Sequence, residues 1–281
     1  MLDNGSNCMS VDAAALRRDG VYQATAPITE LLTDLAAIEK IVSQERTTCT
    51  NLRWAALACF LAGVAFVLVH AVFIVTGIVA AVVCLIYSVT RSRALRANSD
   101  RGALLAELLT VLRQDSSPKA RYFVELYFKS REKVVSEEPW TARKKSKQQY
   151  LTDQWMSMDG QLLDGASFRQ TFESLLRRRT FINSNGKRKT KTRTRFLITI
   201  KLSHSSEIFG DPQTVYRSLR NAVRLPATAK LKGIEFTRDA IAAKAVVNTP
   251  ADLKQADLML LLGIYRILNL SRQLAAKGRP Q

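Results

Sequence analysis

Residues 54–90 form a run of 37 without a single Asp, Glu, Lys or Arg, and Arg53 and Arg91 close it on either side. A water-surrounded core does not call for an uncharged stretch of that length. As one helix it would rise ~1.5 Å per residue and overshoot a ~30 Å hydrocarbon layer, so two passes with a tight turn fit it better. Residues 50–69 and 71–90 supply the two legs, with Arg53 carrying its charge to the interface. His70, the most polar residue near the midpoint, marks the turn. Arg46 and Arg53 before the first leg, and Arg91, Arg93, Arg96 and Arg101 after the second, place both termini on the cytoplasmic side. The apolar run has no basic start ahead of it, so no cleavable signal peptide is expected. The expectation is a multi-pass membrane protein with the lipid bilayer as its first partner.

The flanks extend this layout. Residues 1–24 are polar and aperiodic, the pattern of a disordered tail. From Pro27, a residue suited to a first helical turn, Ile28, Leu31, Leu32, Leu35, Ile38 and Val42 recur at helical spacing. Leu104, Leu105, Leu108, Val111 and Leu112 form a second stripe. Folding the chain about His70 sets Ile28 opposite Arg113 and Leu35 opposite Ala106. Residues 25–115 therefore read as one antiparallel helical hairpin, half in lipid and half a cytoplasmic stalk. The stripes are satisfied equally within one chain or in a homo-oligomer.

Ser116-Ser117-Pro118 punctuates the end of the hairpin. Charge divides the chain at the same place. The net formal charge is +18; residues 119–281 hold 32 Lys/Arg against 14 Asp/Glu, and the rest balances at 10 against 10. The cysteines are Cys8, Cys49, Cys59 and Cys84, so residues 119–281 carry neither a disulfide framework nor a thiolate metal site. Cys59 and Cys84 read as small apolar residues.

Residues 119–281 read as a basic cytoplasmic α+β domain. Tyr122, Val124, Leu126 and Phe128 alternate with more polar neighbours, which predicts a strand. The polar stretch 137–149, with Pro139, reads as a loop. Asp159-Gly160, Asp164-Gly165 and Asn185-Gly186 read as turns of an antiparallel meander. Asp211-Pro212 opens a helix, residues 231–236 and 240–247 are strands, and Thr249-Pro250-Ala251-Asp252 opens the last helix. Its body, 257–270, is too short and polar for a third pass and is assigned to cover the sheet. The fold class is thus α+β: a two-pass transmembrane hairpin with a cytoplasmic stalk, then an antiparallel-sheet domain with covering helices.

The hairpin around Asn185-Gly186 is the most informative stretch. Lys189, Lys191, Arg193 and Arg195 share one parity, and Phe196, Ile198, Ile200 and Leu202 the other. A two-residue loop would mix charged and apolar faces. A three-residue loop, Ser184-Asn185-Gly186 with Gly186 left-handed, sets Phe172 across from Ile198 and Arg177 across from Arg193.

Catalytic signals are sparse. His204 lies among Ser203, Ser205, Ser206 and Glu207, but sequence neighbours seldom converge into a triad, and a polar loop is the plainer reading. No phosphate-cradling glycine loop, paired-cysteine motif or His-rich metal motif occurs, so no enzyme, cofactor or metal is expected. Asn4-Gly5-Ser6 and Asn269-Leu270-Ser271 match a glycosylation pattern on the side assigned as cytoplasmic.

The candidate site is the basic face: Arg177, Arg179, Lys189, Lys191, Arg193 and Arg195. Its expected partners are anionic lipid headgroups or an acidic protein. Nucleic acid ranks behind, because the residues alternating with the bases are threonines rather than aromatics. A solvated face that protects a sheet edge is the simpler alternative. The function read from the sequence is a membrane-anchored adaptor or scaffold presenting this domain. An oligomeric two-pass effector or channel-like assembly with a cytoplasmic sensor is the alternative, and the lack of charge in 54–90 weighs against a hydrophilic pore.

Overall fold

The computed structural model describes residues 16, 18–65, 79, 82, 83, 86, 100–141, 146–218 and 223–277. The chain divides into two units: residues 1–20 with 30–106, and residues 21–29 with 107–281.

The first unit is built on helix α1, Ile28–Ala65, 38 residues without a break. Its stripe is buried as the periodicity requires, with Leu31, Leu35, Ile38 and Val42 all out of solvent. Residues 100–112 form helix α2. Leu35, Ile38 and Val42 line one cavity together with Gly102, Ala103 and Ala106, so Leu35 and Ala106 do share a neighbourhood.

The two membrane passes are not upheld. Among the described residues no helix is long and apolar enough to cross a membrane. The uncharged part of α1 begins only after Arg53 and ends at Ala65, a rise of ~18 Å against the ~30 Å needed. With the passes go the multi-pass membrane location and the assignment of both termini to the cytoplasm. The turn at His70, Cys8, Cys84, and the arginines at 91, 93 and 96 lie outside the described residues. Cys49 is buried and forms no disulfide among the described residues.

The second unit is an antiparallel sheet of eight strands, ordered β1-β2-β4-β5-β6-β8-β7, with β3 paired to β4 alone. The strands are β1 Val21–Pro27, β2 Arg121–Tyr127, β3 Lys133–Thr141, β4 Ser146–Gln161, β5 Ser167–Ile182, β6 Arg188–Ser203, β7 Ala229–Thr237 and β8 Ala240–Val247. Alternation puts Tyr122, Val124 and Leu126, then Phe168 and Phe172, then Ile198, Ile200 and Leu202, into one buried face. Helix α5, Leu253–Lys277, covers it with Leu253, Ala256, Leu260, Ile264, Ile267 and Leu268, a stripe at three- and four-residue spacing. Two short helices, α3 Ser206–Phe209 and α4 Pro212–Ser218, also pack on α5. Asp211 caps α4, its carboxylate accepting from Gln213 N–H at 3.0 Å.

Three sequence expectations change. Val21–Pro27 is a strand on β2, with Val21 opposite Tyr127, where the sequence suggested a disordered tail as far as Ala24. The stretch 137–149 is strand rather than loop over most of its length. Its polar side chains find one another, Gln149 Nε2 donating to Glu137 at 2.8 Å and Gln148 Nε2 to Glu138 at 3.1 Å. Pro139 is tolerated because β3 pairs on one side only and shifts register between Glu138 and Thr141. Gly160 is not in a turn: it sits within β4 opposite Phe168. An added Cβ there would lie 2.2 Å from the Tyr122 ring. The turn follows five residues later, at Gly165 with φ 86°.

Candidate anion-binding face

Strands β4, β5 and β6 are each 16 residues long, and their outer halves run past their other neighbours. Strand β2 pairs with β4 only at Met156–Asp159, and β8 pairs with β6 only at Phe196–Ser203. Beyond those limits β3, β4, β5 and β6 alone form a four-stranded wing. Asp153 fixes the corner where β3 begins, accepting from Arg131 N–H at 2.7 Å and Ser130 Oγ at 3.1 Å. A bulge in β4 between Gln154 and Met156 re-aims the strand just after it.

The wing is tied off by the expected turn. Asn183 N–H donates to Lys187 C=O at 3.0 Å, Gly186 N–H donates to Asn183 C=O at 3.0 Å, and Gly186 has φ 72°. The resulting register sets Phe172 opposite Ile198, Arg177 opposite Arg193, and Arg179 opposite Lys191. Directly opposed residues of an antiparallel pair share a face, and so do alternate residues of one strand. Arg177, Arg179, Lys189, Lys191, Arg193 and Arg195 therefore project together from the face away from α5, and all six are exposed.

Two rings sit on the same face, Phe181 by alternation with Arg177 and Arg179 along β5 and Tyr150 through the β4–β5 register. Tyr150 in β4 is opposite Arg177, and Phe181 in β5 is opposite Lys189. The Arg177 guanidinium lies 5.8 Å from the Tyr150 ring centre, and Arg179 and Lys191 lie 5.7 and 5.8 Å from that of Phe181. Arg177 Nε also donates to Gln148 Oε1 at 2.9 Å.

Of the wing's carboxylates, Glu138 shares the basic face at its β3 margin, accepting from Gln148 Nε2 at 3.1 Å and Tyr150 OH at 3.4 Å, while Glu137 and Glu132 are engaged on the other face. Glu137 pairs with Lys147. Hydrogen bonds from Gln149 and then Lys147 hold the Glu137 carboxyl below its ordinary range. Glu132 takes Arg178, which has the opposite parity, at 2.9 Å. Among the described residues none of the six basic side chains has an acidic partner. The face thus holds two like-charged pairs, Arg177 with Arg193 and Arg179 with Lys191. Opposed like charges destabilise a sheet.

The region around His204 offers no catalytic arrangement. The His204 ring is buried edge-on to Phe209 at 5.6 Å. Neither of its nitrogens has a hydrogen-bond partner among the described residues. Burial holds its pKa below the ordinary histidine value. No group of three or more His, Cys, Asp or Glu that could hold a metal occurs among the described residues.

Comparison of the chain with family models, with curated proteins and with solved structures finds no match.

Proposed function

We propose that the second unit is a non-enzymatic binding module, an adaptor that docks an anionic partner on the outer face of the β4–β5–β6 wing. The observation that carries this reading is the opposition of Arg177 to Arg193 and of Arg179 to Lys191 on an exposed face where, among the described residues, none of the six bases is ion-paired. A bound polyanion relieves that repulsion, whereas water only screens it. The six side chains contribute nothing to the core, so the face is free to vary for recognition.

The test is direct binding by the full chain. Wild type and a variant with all six bases changed to Ser are titrated with poly-glutamate, single-stranded nucleic acid and anionic vesicles at matched ionic strength. The wild type is expected to bind at least one of them, with affinity falling steeply as salt shortens the screening length from ~30 Å at 0.01 M to ~8 Å at 0.15 M. The variant is expected to keep its far-UV spectrum and lose that binding. A wild type that ignores all three at low salt defeats the proposal and leaves a solvated face.

A further inference from the structure

The inner half of β6 lies between β5 and β8, but β8 pairs only with Phe196–Ser203. Residues 188–195 have β5 on one side and no described strand on the other, and every one of them is exposed. The hydrogen-bond phase of this edge follows from the turn. Asn183 N–H donates to Lys187 C=O, and in an antiparallel ladder such bonded pairs recur at every second residue. Lys189, Lys191, Arg193 and Arg195 therefore turn their backbone groups toward β5. Arg188, Thr190, Thr192 and Thr194 turn theirs outward.

The free edge thus combines two independent properties. It presents backbone donors and acceptors at Thr190, Thr192 and Thr194 that no strand among the described residues pairs. Beside them stands a row of four cations, one every ~7 Å on the outer face. We infer that this edge takes an extended acidic peptide as an added strand, with carboxylates at alternate positions beside Lys189, Lys191, Arg193 and Arg195. The inference rests on the anion-binding reading of the wing and names its partner. Strand addition draws affinity from main-chain bonds and specificity from alternate side chains. A second copy of this edge is a poor occupant, because it would set cation against cation. Nucleic acid and lipid headgroups would use the cations but have no counterpart to the strand's donors and acceptors. The alternating threonines favour β-branched or small residues between the carboxylates.

The experiment compares two octapeptides of identical composition on the full chain, one alternating Glu and Val and one with the four Glu grouped before the four Val. A third probe is the alternating peptide N-methylated at every second residue, on the edge that would pair. The alternating peptide is expected to bind roughly tenfold or more tightly than either of the others, a gap of ~1.4 kcal/mol. Thr192→Pro should reduce its binding similarly, since that N–H points away from β5, while Thr192→Ser should not. The N-methylated peptide keeps the test informative if the proline variant misfolds. Equal binding of all three peptides overturns the edge inference. If the six-Ser variant then loses them all alike, the basic-face reading survives without the edge. If the six-Ser variant binds them undiminished, both readings fall.

Discussion

The carboxyl of Asp257 in α5 accepts a hydrogen bond from the Gln170 side-chain amide in β5, and each residue is only 1% exposed. This polar contact joins the covering helix to the centre of the sheet. Burial pushes the Asp257 carboxyl from 3.8 up to about 7, and the Gln170 bond only partly offsets that.

A pH dependence follows. Between the unfolded value near 3.8 and the folded value of about 7, the folded state holds a proton that the unfolded state has lost. Stability from this group is complete below the lower value, declines as pH rises through the window, and levels off above it. Asp257→Asn keeps the acceptor and removes the titration. It should match wild type near pH 4 and exceed it at pH 8 by up to ~4 kcal/mol, at ~1.4 kcal/mol per pH unit. Urea midpoints for both proteins across that range are the measurement. Parallel curves would show that Asp257 does not titrate in the window.

Gly160→Ala should destabilise the sheet through crowding. The new methyl would meet two atoms of the Tyr122 ring at 2.2 Å and Phe168 at 3.0 Å. The ring is fully buried, and its hydroxyl bonds to Ser116 and to Gln161 C=O, so it has nowhere to swing. The expected cost is ~1–3 kcal/mol or more. Pairing the change with Tyr122→Leu should recover part of it. An additive double variant would show that the ring is not the obstacle.

Gly186→Val should cost ~1 kcal/mol or more for a different reason. An added Cβ meets nothing within 4 Å there, but φ is +72°. Amide exchange should quicken at Asn183 and at Lys189, Lys191, Arg193 and Arg195, whose N–H groups face β5, with the core strands unaffected. Gly186→Asn should be milder, since asparagine tolerates the left-handed region. Equal effects of Val and Asn would place the cost somewhere other than backbone conformation.

What the sequence reveals and what it hides separate along physical lines. The β5–β6 register follows from local facts: a period of two, one turn, and the cost of burying Arg177 or Arg193. The co-facial placement of the six bases comes with it. Phe181 comes with the bases by alternation along β5, whereas Tyr150 is brought to that face by the β4–β5 register, and β4 carries a bulge no pattern announces. Strand β3 was missed because its polar residues satisfy one another across strands instead of alternating with apolar ones. Strand β1 was missed because its partner lies about a hundred residues away. Asp159-Gly160 carries a turn's signature, yet its glycine makes room for a tyrosine ring. The two expected passes came from the length of one uncharged run, and the described helix reaches only part of the length they need.

The pairing of Val21–Pro27 with Arg121–Tyr127 gives the sheet a host-and-guest arrangement in sequence. Everything between those strands leaves the host after one strand and re-enters it at that strand's neighbour. Closing such an excursion costs entropy that grows only logarithmically, ~0.6 kcal/mol for each doubling of its length. The inserted unit, residues 30–106, can therefore lengthen or shorten over evolutionary time at little entropic cost to the sheet. A fragment begun at Lys119 is a different matter, for it leaves β2 as a bare edge where the intact chain has a closed seam.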